Sequence, residues 1–179
     1  MSDLTKLPHE LDRKTGSCRA IIETPKGNRS KYDYDPETQL FRLKTILPEG
    51  MSFPMDFGFI PSTLAGDGDP LDVMALVDEP APVGAMLQVR LIGVIEAEEK
   101  EKGDIERNDR VLAVVDCSRV YAEIETPDDL PDEFVQNLVD FWINKDKLEG
   151  KAFKSLGIQG PAAAIDLVRR TSKAAKKAA

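Results

Sequence analysis

Gly66-Asp67-Gly68-Asp69-Pro70-Leu71-Asp72 places three carboxylates within six residues, next to two glycines and a proline. Negative charges at this density repel one another, so a folded chain keeps them together around a cation or to tune a proton. Oxygen donors alone suit hard divalent ions such as Mg²⁺, Mn²⁺ or Ca²⁺. A calcium-binding EF-hand loop does not fit. It needs oxygen ligands past its central glycine and a closing Glu, whereas Val73-Met74-Ala75-Leu76-Val77 is apolar. Asp and Gly also build ordinary surface turns. By itself the segment supports a metal site and a plain turn equally.

The flanks separate the two. Upstream runs Phe53-Pro54-Met55-Asp56-Phe57-Gly58-Phe59-Ile60-Pro61, and downstream Leu71-Asp72-Val73-Met74-Ala75-Leu76-Val77. The pattern aromatic-Pro-x-x-aromatic-Gly-aromatic-Ile, followed by Asp-Gly-Asp-Pro-x-Asp, resembles the signature of soluble family I inorganic pyrophosphatases. Ile21-Ile22-Glu23-Thr24-Pro25, Ser30-Lys31-Tyr32-Asp33 and Gly93-Val94-Ile95 follow the family's order near its spacing. The resemblance covers residues 15–155; it is strongest over 18–95 and weak after 97.

Composition agrees with one enzyme-sized domain over 1–179. The chain has 179 residues, 41% hydrophobic and 31% charged, enough for a full core and unlike a disordered chain. No apolar run approaches a membrane span, and Met1-Ser2-Asp3-Leu4-Thr5-Lys6 lacks a secretory core, so a cytoplasmic protein with no membrane partner is expected. Cys18 and Cys117 lack CxxC spacing and read as free thiols. A net charge of −8 argues against a nucleic-acid partner. It also means that an anionic substrate requires metal ions and a local cluster of Lys and Arg to reverse the field.

The first 120 residues read as strands and loops. Arg19–Glu23, Lys31–Asp35, Leu40–Ile46, Met86–Ile95 and Arg110–Val115 have strand character, with a turn at Pro36-Glu37-Thr38. Glu96–Asp109 is charged and reads as an exposed loop or hairpin. Several short strands with turn punctuation suggest a small barrel. The last third turns helical. Pro131 suits a first helical position with Asp132 and Glu133 behind it, and Phe134, Leu138, Phe141 and Trp142 share one face. Gly160-Pro161 opens a second helix with Ile165, Leu167 and Val168 apolar. Its basic end, Arg169 to Lys177, complements the helix dipole. The expected fold is mainly β with α: a small closed five-stranded OB-like barrel flanked by two C-terminal helices.

The resemblance implies Mg²⁺-dependent hydrolysis of diphosphate, with Mn²⁺ as an alternative, by direct attack of a metal-activated water. It assigns Asp67 and Asp72 as metal ligands and Asp69 as the group that takes the water's proton. Glu23 and Asp33, the latter at a family Glu position, become outer acidic residues. Lys31, Lys44 and Arg110 become substrate-phosphate ligands; Lys44 stands where the family usually has Arg, and Arg110 where it has Lys. Relatives in bacteria are often hexamers, so a homo-oligomer is expected.

Other positions depart further. Phe53 and Phe57 stand where the family commonly has Tyr, which removes a hydroxyl donor and leaves core packing as their reading. Counting from Gly93 and back from Arg110 puts the remaining metal ligands at Glu99 and Asn108, with Asp109 as a substitute; Glu98, Glu101, Glu106 and Asp104 compete. The family's Tyr-Lys pair aligns with Lys145-Asp146, leaving Lys145 or Lys147 as the phosphate ligand. These departures motivate an alternative, a weakened or altered-substrate relative that binds metal and phosphate. The single histidine, His9, lies in a polar segment and reads as surface. Zinc lacks His and Cys ligands here, and no Ser-His or Cys-His motif supports a nucleophilic mechanism.

Overall fold

The computed structural model describes residues 3–178. In chain order the first strands are β1 (Ser17–Thr24), β2 (Ser30–Asp35), β3 (Leu40–Ile46), β4 (Asp56–Ile60) and β5 (Leu71–Leu76). Then follow β6 (Met86–Glu101), β7 (Asp104–Arg107), β8 (Arg110–Val115), α1 (Asp132–Leu148), β9 (Ala152–Gln159) and α2 (Pro161–Ala178). Strands β1, β4, β5, β8 and β6 pair edge to edge in that order, and β6 pairs back with β1. The sheet thereby closes into a five-stranded ring, the barrel that the short strands suggest. Only β5 and β8 run parallel; the other ring contacts are antiparallel. β2 and β3 form a separate hairpin.

Ring strands are buried on both faces, so their sequences read as nearly continuous apolar runs. Alternate residues nevertheless enter different clusters, because successive side chains leave a strand on opposite sides. Val73, Ala75, Val111 and Ala113 pack with Ala164, Leu167 and Val168 of α2. Met74, Leu76, Leu112 and Val114 pack with Phe53, Phe57, Phe153 and the α1 residues Leu138, Phe141 and Trp142.

The aromatic-Gly-aromatic motif has a steric origin. A Cβ on Gly58 would lie 1.8 Å from the Ile21 carbonyl oxygen, so β1 and β4 meet only if residue 58 has no side chain. Phe57 then joins the α1-side cluster, and Phe59 packs with Ile21 and Tyr34.

Several expectations are corrected. Strand β9 lies between the two helices and pairs with β6, although its sequence, AFKSLGIQ, gives little alternation. Pro131 caps α1 from outside, and the helix begins at Asp132. Of the loop and the hairpin expected over 96–109, the hairpin forms: β6 continues to Glu101 and returns as β7. Lys102 and Gly103, at φ 52° and 102°, make the two-residue turn. His9 is not plain surface. It is half-buried, its Nδ1 accepts the Leu11 N–H at 3.0 Å, and its Nε2 lies 2.8 Å from Ser172 Oγ on α2. Cys18 and Cys117 are free thiols, as expected.

Gly58→Ala should therefore lower stability by at least about 2–3 kcal/mol through overpacking against backbone. Urea unfolding with an unchanged slope and a lower midpoint would show it. An unchanged midpoint would mean that the β1–β4 approach is not close-packed.

Candidate active site

The α1-side face of the ring opens into a cleft of about 520 Å³, lined mostly by charged residues. Strand parity explains which side chains reach it. Asp72 shares the face of Met74 and Leu76, and Arg110 that of Leu112 and Val114; Glu99 continues the run of Ile95 and Ala97. All three therefore point toward the aromatic cluster under α1.

The acidic turn stands at one rim. Ala65 N–H donates to the Asp69 carbonyl at 2.8 Å, and Asp69 N–H to Asp67 Oδ1 at 3.1 Å. Gly68 adopts φ 91°, which the turn requires. A Cβ on Gly66 would lie 2.8 Å from the Arg107 carbonyl oxygen, so the turn sits directly against the chain after β7. Asp67, Asp69 and Asp72 all line the cleft. Burial pushes the Asp72 carboxyl up to about 6, with Asp67 and Glu99 adding to the shift and Arg110 and Lys31 opposing it. Asp67 is also raised, by desolvation and then by Asp69 and Glu99. Among the described residues, the side chain of Asp69 makes no ion pair.

Cations line the same cleft. Lys31 is buried, with its ammonium paired to Asp33 and 5.7 Å from the Phe57 ring centroid. Lys44 reaches the other oxygen of Asp33 at 2.5 Å. Burial works against charge on Asp33, but Lys31 and Lys44 hold it below the usual carboxylate range. Glu23 lies beneath them, accepting the Tyr34 N–H at 2.7 Å. Its burial, reinforced by Asp33 and Asp72, pushes it up to about 8.

Arg110, 2% exposed, donates from Nη1 to the Asn108 carbonyl at 2.6 Å and pairs through Nη2 with Glu99. Lys145 also lines the cleft, bonded to Asp146 at 3.1 Å and Glu149 at 2.8 Å. Lys147 does not. The cleft thus brings together Glu23, Lys31, Asp33, Lys44, Asp67, Asp69, Asp72, Glu99, Asn108, Arg110 and Lys145.

Asp109 is the exception. Its carboxylate accepts the Ala97 N–H at 3.0 Å and pairs with Arg107 at 2.6 Å, away from the cleft. Asn108 and Arg110 share one strand face, so Asp109 must take the other. Glu98 is likewise outside, while Glu101 and Glu106 line the cleft. Sequence reasoning missed Trp142, Glu149 and Lys151, which also line the cleft. Trp142 reads as a core residue, yet it lies three residues before Lys145, on the same face of α1. Phe53 is core, as expected; Phe57 is both core and cleft wall.

The donor set suits a hard divalent ion. Among the described residues, no three acidic, His or Cys side chains converge into a closed cage. Asp67 and Asp72 instead offer two carboxylates whose proton affinity is raised by burial and by neighbouring acids in an open cleft. Mg²⁺ is commonly held this way, by one or two carboxylates with water and phosphate oxygens completing the shell.

Comparison with known proteins gives one answer. The family model described as Inorganic pyrophosphatase matches residues 20–176. The inorganic pyrophosphatase of Nostoc sp. is 34% identical over 174 residues, covering 97% of this chain and 99% of its own. That of Methanosarcina acetivorans is 36% identical over 149 residues, covering 83% and 86%. The crystal structure of inorganic pyrophosphatase from Thermus thermophilus superposes with a TM-score of 0.88 at 33% identity, covering 98% and 99%. The chain belongs to the inorganic pyrophosphatase family.

The buried carboxyl of Glu23 gives the metal-free protein a pH signature. Folded Glu23 keeps its proton up to about 8, whereas an unperturbed glutamate ionises near 4.5. Between these values the folded chain holds one proton more than the unfolded chain, so stability falls as pH rises through the window. Glu23→Gln keeps the acceptor for Tyr34 but removes the titration. In chelator, its urea midpoint should match that of the wild type at the acid end and exceed it at the alkaline end. Parallel pH profiles would remove Glu23 as the source.

Proposed function

We propose that this cleft hydrolyses inorganic diphosphate to two phosphates with Mg²⁺, or Mn²⁺ in its place. The observation that carries the reading is that one cleft gathers the carboxylates Asp67, Asp69 and Asp72 together with the cations Lys31, Lys44, Arg110 and Lys145.

Diphosphate is a polyanion with a poor leaving group, so hydrolysis requires charge neutralisation, a deprotonated water and an in-line geometry. Asp67 and Asp72 would hold the divalent ion. When bound, it acidifies water and withdraws charge from phosphate oxygens. Asp69, uncommitted to any ion pair, accepts the proton of the attacking water as the new O–P bond forms. The bond from phosphorus to the bridging oxygen breaks, and that oxygen leaves with the second phosphate. Lys31, Lys44 and Lys145 offset the charge that builds on the departing group. Asp33 holds Lys31 and Lys44 side by side, so two cations meet the substrate at a fixed separation. Glu23 acts behind this pair as an outer acidic residue.

A relative that only binds metal and phosphate is not favoured. Phe57 keeps the cleft wall without its hydroxyl, and Lys145 supplies an ammonium despite the altered Tyr-Lys pair.

The proposal includes one domain over 1–179 and a homo-oligomer, a hexamer by resemblance to bacterial relatives. Leu40, Leu43 and Ile46 of β3 are more than half exposed, as residues covered by a second copy would be. No helix among the described residues is long and apolar enough to cross a membrane.

Phosphate release from diphosphate should require Mg²⁺ or Mn²⁺ and stop in chelator. Asp69→Ala should lower turnover by about 10²–10⁴-fold, the range for a lost general base, with the circular dichroism spectrum unchanged. Wild-type turnover in that variant would sink the assignment of Asp69. Metal-independent release would sink the mechanism.

A further inference from the structure

Arg110 is fixed by packing as well as by charge. Its guanidinium carbon lies 4.0 Å from the Trp142 ring centroid and 5.2 Å from that of Phe153. Trp142 is itself held, by Nε1 on Met74 Sδ at 3.1 Å and by Phe57, whose centroid is 5.3 Å away. Among the described residues, the buried Nε of Arg110 has no partner. The charged edge is therefore presented to the cleft, where Nη2 pairs with Glu99 and lies 3.8 Å from Asp72 Oδ2.

This edge occupies the space between Asp72 and Glu99. A divalent ion bridging those two carboxylates would need oxygen contacts of about 2 Å on each side, in the volume that Nη2 fills. The guanidinium cannot lose its proton to make room. Swinging aside would forfeit its aromatic contacts and leave the positive charge buried without a counter-ion. Asn108 reinforces the arrangement. Its Nδ2 donates to Glu99 at 3.3 Å, so that amide serves Glu99 as a donor. Lys151, 4.0 Å from Glu99, adds further positive charge on the same side.

We propose that Arg110 is a built-in cation that takes the position between Asp72 and Glu99, with Glu99 as its counter-ion. Divalent metal is then confined to the Asp67–Asp72 side of the cleft, and the metal role that family resemblance gives Glu99 and Asn108 is replaced by a protein charge. The inference rests on the reading that Asp67 and Asp72 hold metal.

The test is Mn²⁺ titration of the full chain after chelator treatment, without substrate, counting bound ions from the electron paramagnetic resonance of free Mn²⁺. Glu99→Gln should leave the number unchanged and the affinity within about twofold. Arg110→Met, which removes the charge, should bind one more ion per chain. Circular dichroism and the emission of Trp142, the only tryptophan, check that each variant is folded. If Arg110→Met does not fold, Glu99→Gln decides the matter. Loss of an ion or a tenfold weaker affinity in Glu99→Gln would overturn the inference, as would an unchanged count in folded Arg110→Met. Asp67→Asn separates this from the underlying reading. An unchanged count there would overturn the Asp67–Asp72 metal site itself, whereas a lowered count leaves the Glu99 and Arg110 results to decide the inference alone.

Discussion

Successive side chains of a strand point to opposite faces, and the whole cleft depends on that alternation. A ring of five strands has only two faces, so each residue of β5, β6 and β8 is committed to one cluster or the other. Asp72 and Arg110 fall on the face covered by α1, and the register of β6 brings Glu99 to the same side. Asp109, one residue from both Asn108 and Arg110, is excluded by the same rule and pairs with Arg107 instead. No property of a carboxylate alone distinguishes Asp109 from Asp72. Register does, and register is maintained by the apolar residues on either side.

That dependence explains what the sequence made legible. β3 and β8 are bounded as their patterns suggest, and the Asp67–Asp72 turn is announced by its own density of charge. Gly58 was part of the motif, and its reason is a close strand approach that needs coordinates to see. β9 was missed because its partner, the outer half of β6, is distant in sequence and lies largely in the charged region that read as an exposed loop or hairpin. Neither strand has an apolar face of its own strong enough to show a period of two; pairing makes them strands. Trp142 was assigned to the core, and it is core. Its second role as the platform for Arg110 arises from packing between α1 and β8, which no local pattern encodes.

The charge balance follows a similar logic. A chain of net charge −8 can still face a polyanion, because the field at a cleft depends on the nearest groups more than on the total. Asp33 illustrates the device. It is an acid among the cations of the cleft, and by binding both Lys31 and Lys44 it holds two ammonium groups together that would otherwise repel. Glu23, lacking such a partner, responds to burial by keeping its proton. Two acids a few residues apart in space thus differ in protonation because one is paired and the other is not.

Lys145 and Asp146 carry this argument to the helix. Lys145 lies one turn beyond Trp142 and projects its ammonium 5.4 Å from that ring, into the cleft. Asp146 follows it and is fully buried, with one oxygen on Lys145 and the other unpartnered. A buried carboxylate is tolerated where a cation is fixed beside it, and burial together with Glu99 raises its proton affinity. Lys145 in turn has Glu149 one turn on. Lys145 thus stands in the cleft one residue before the position that the family alignment gives the lysine, and Asp146, at that position, pairs with it. Position in the cleft is set by where a charge can be held, so different residues can meet the same requirement.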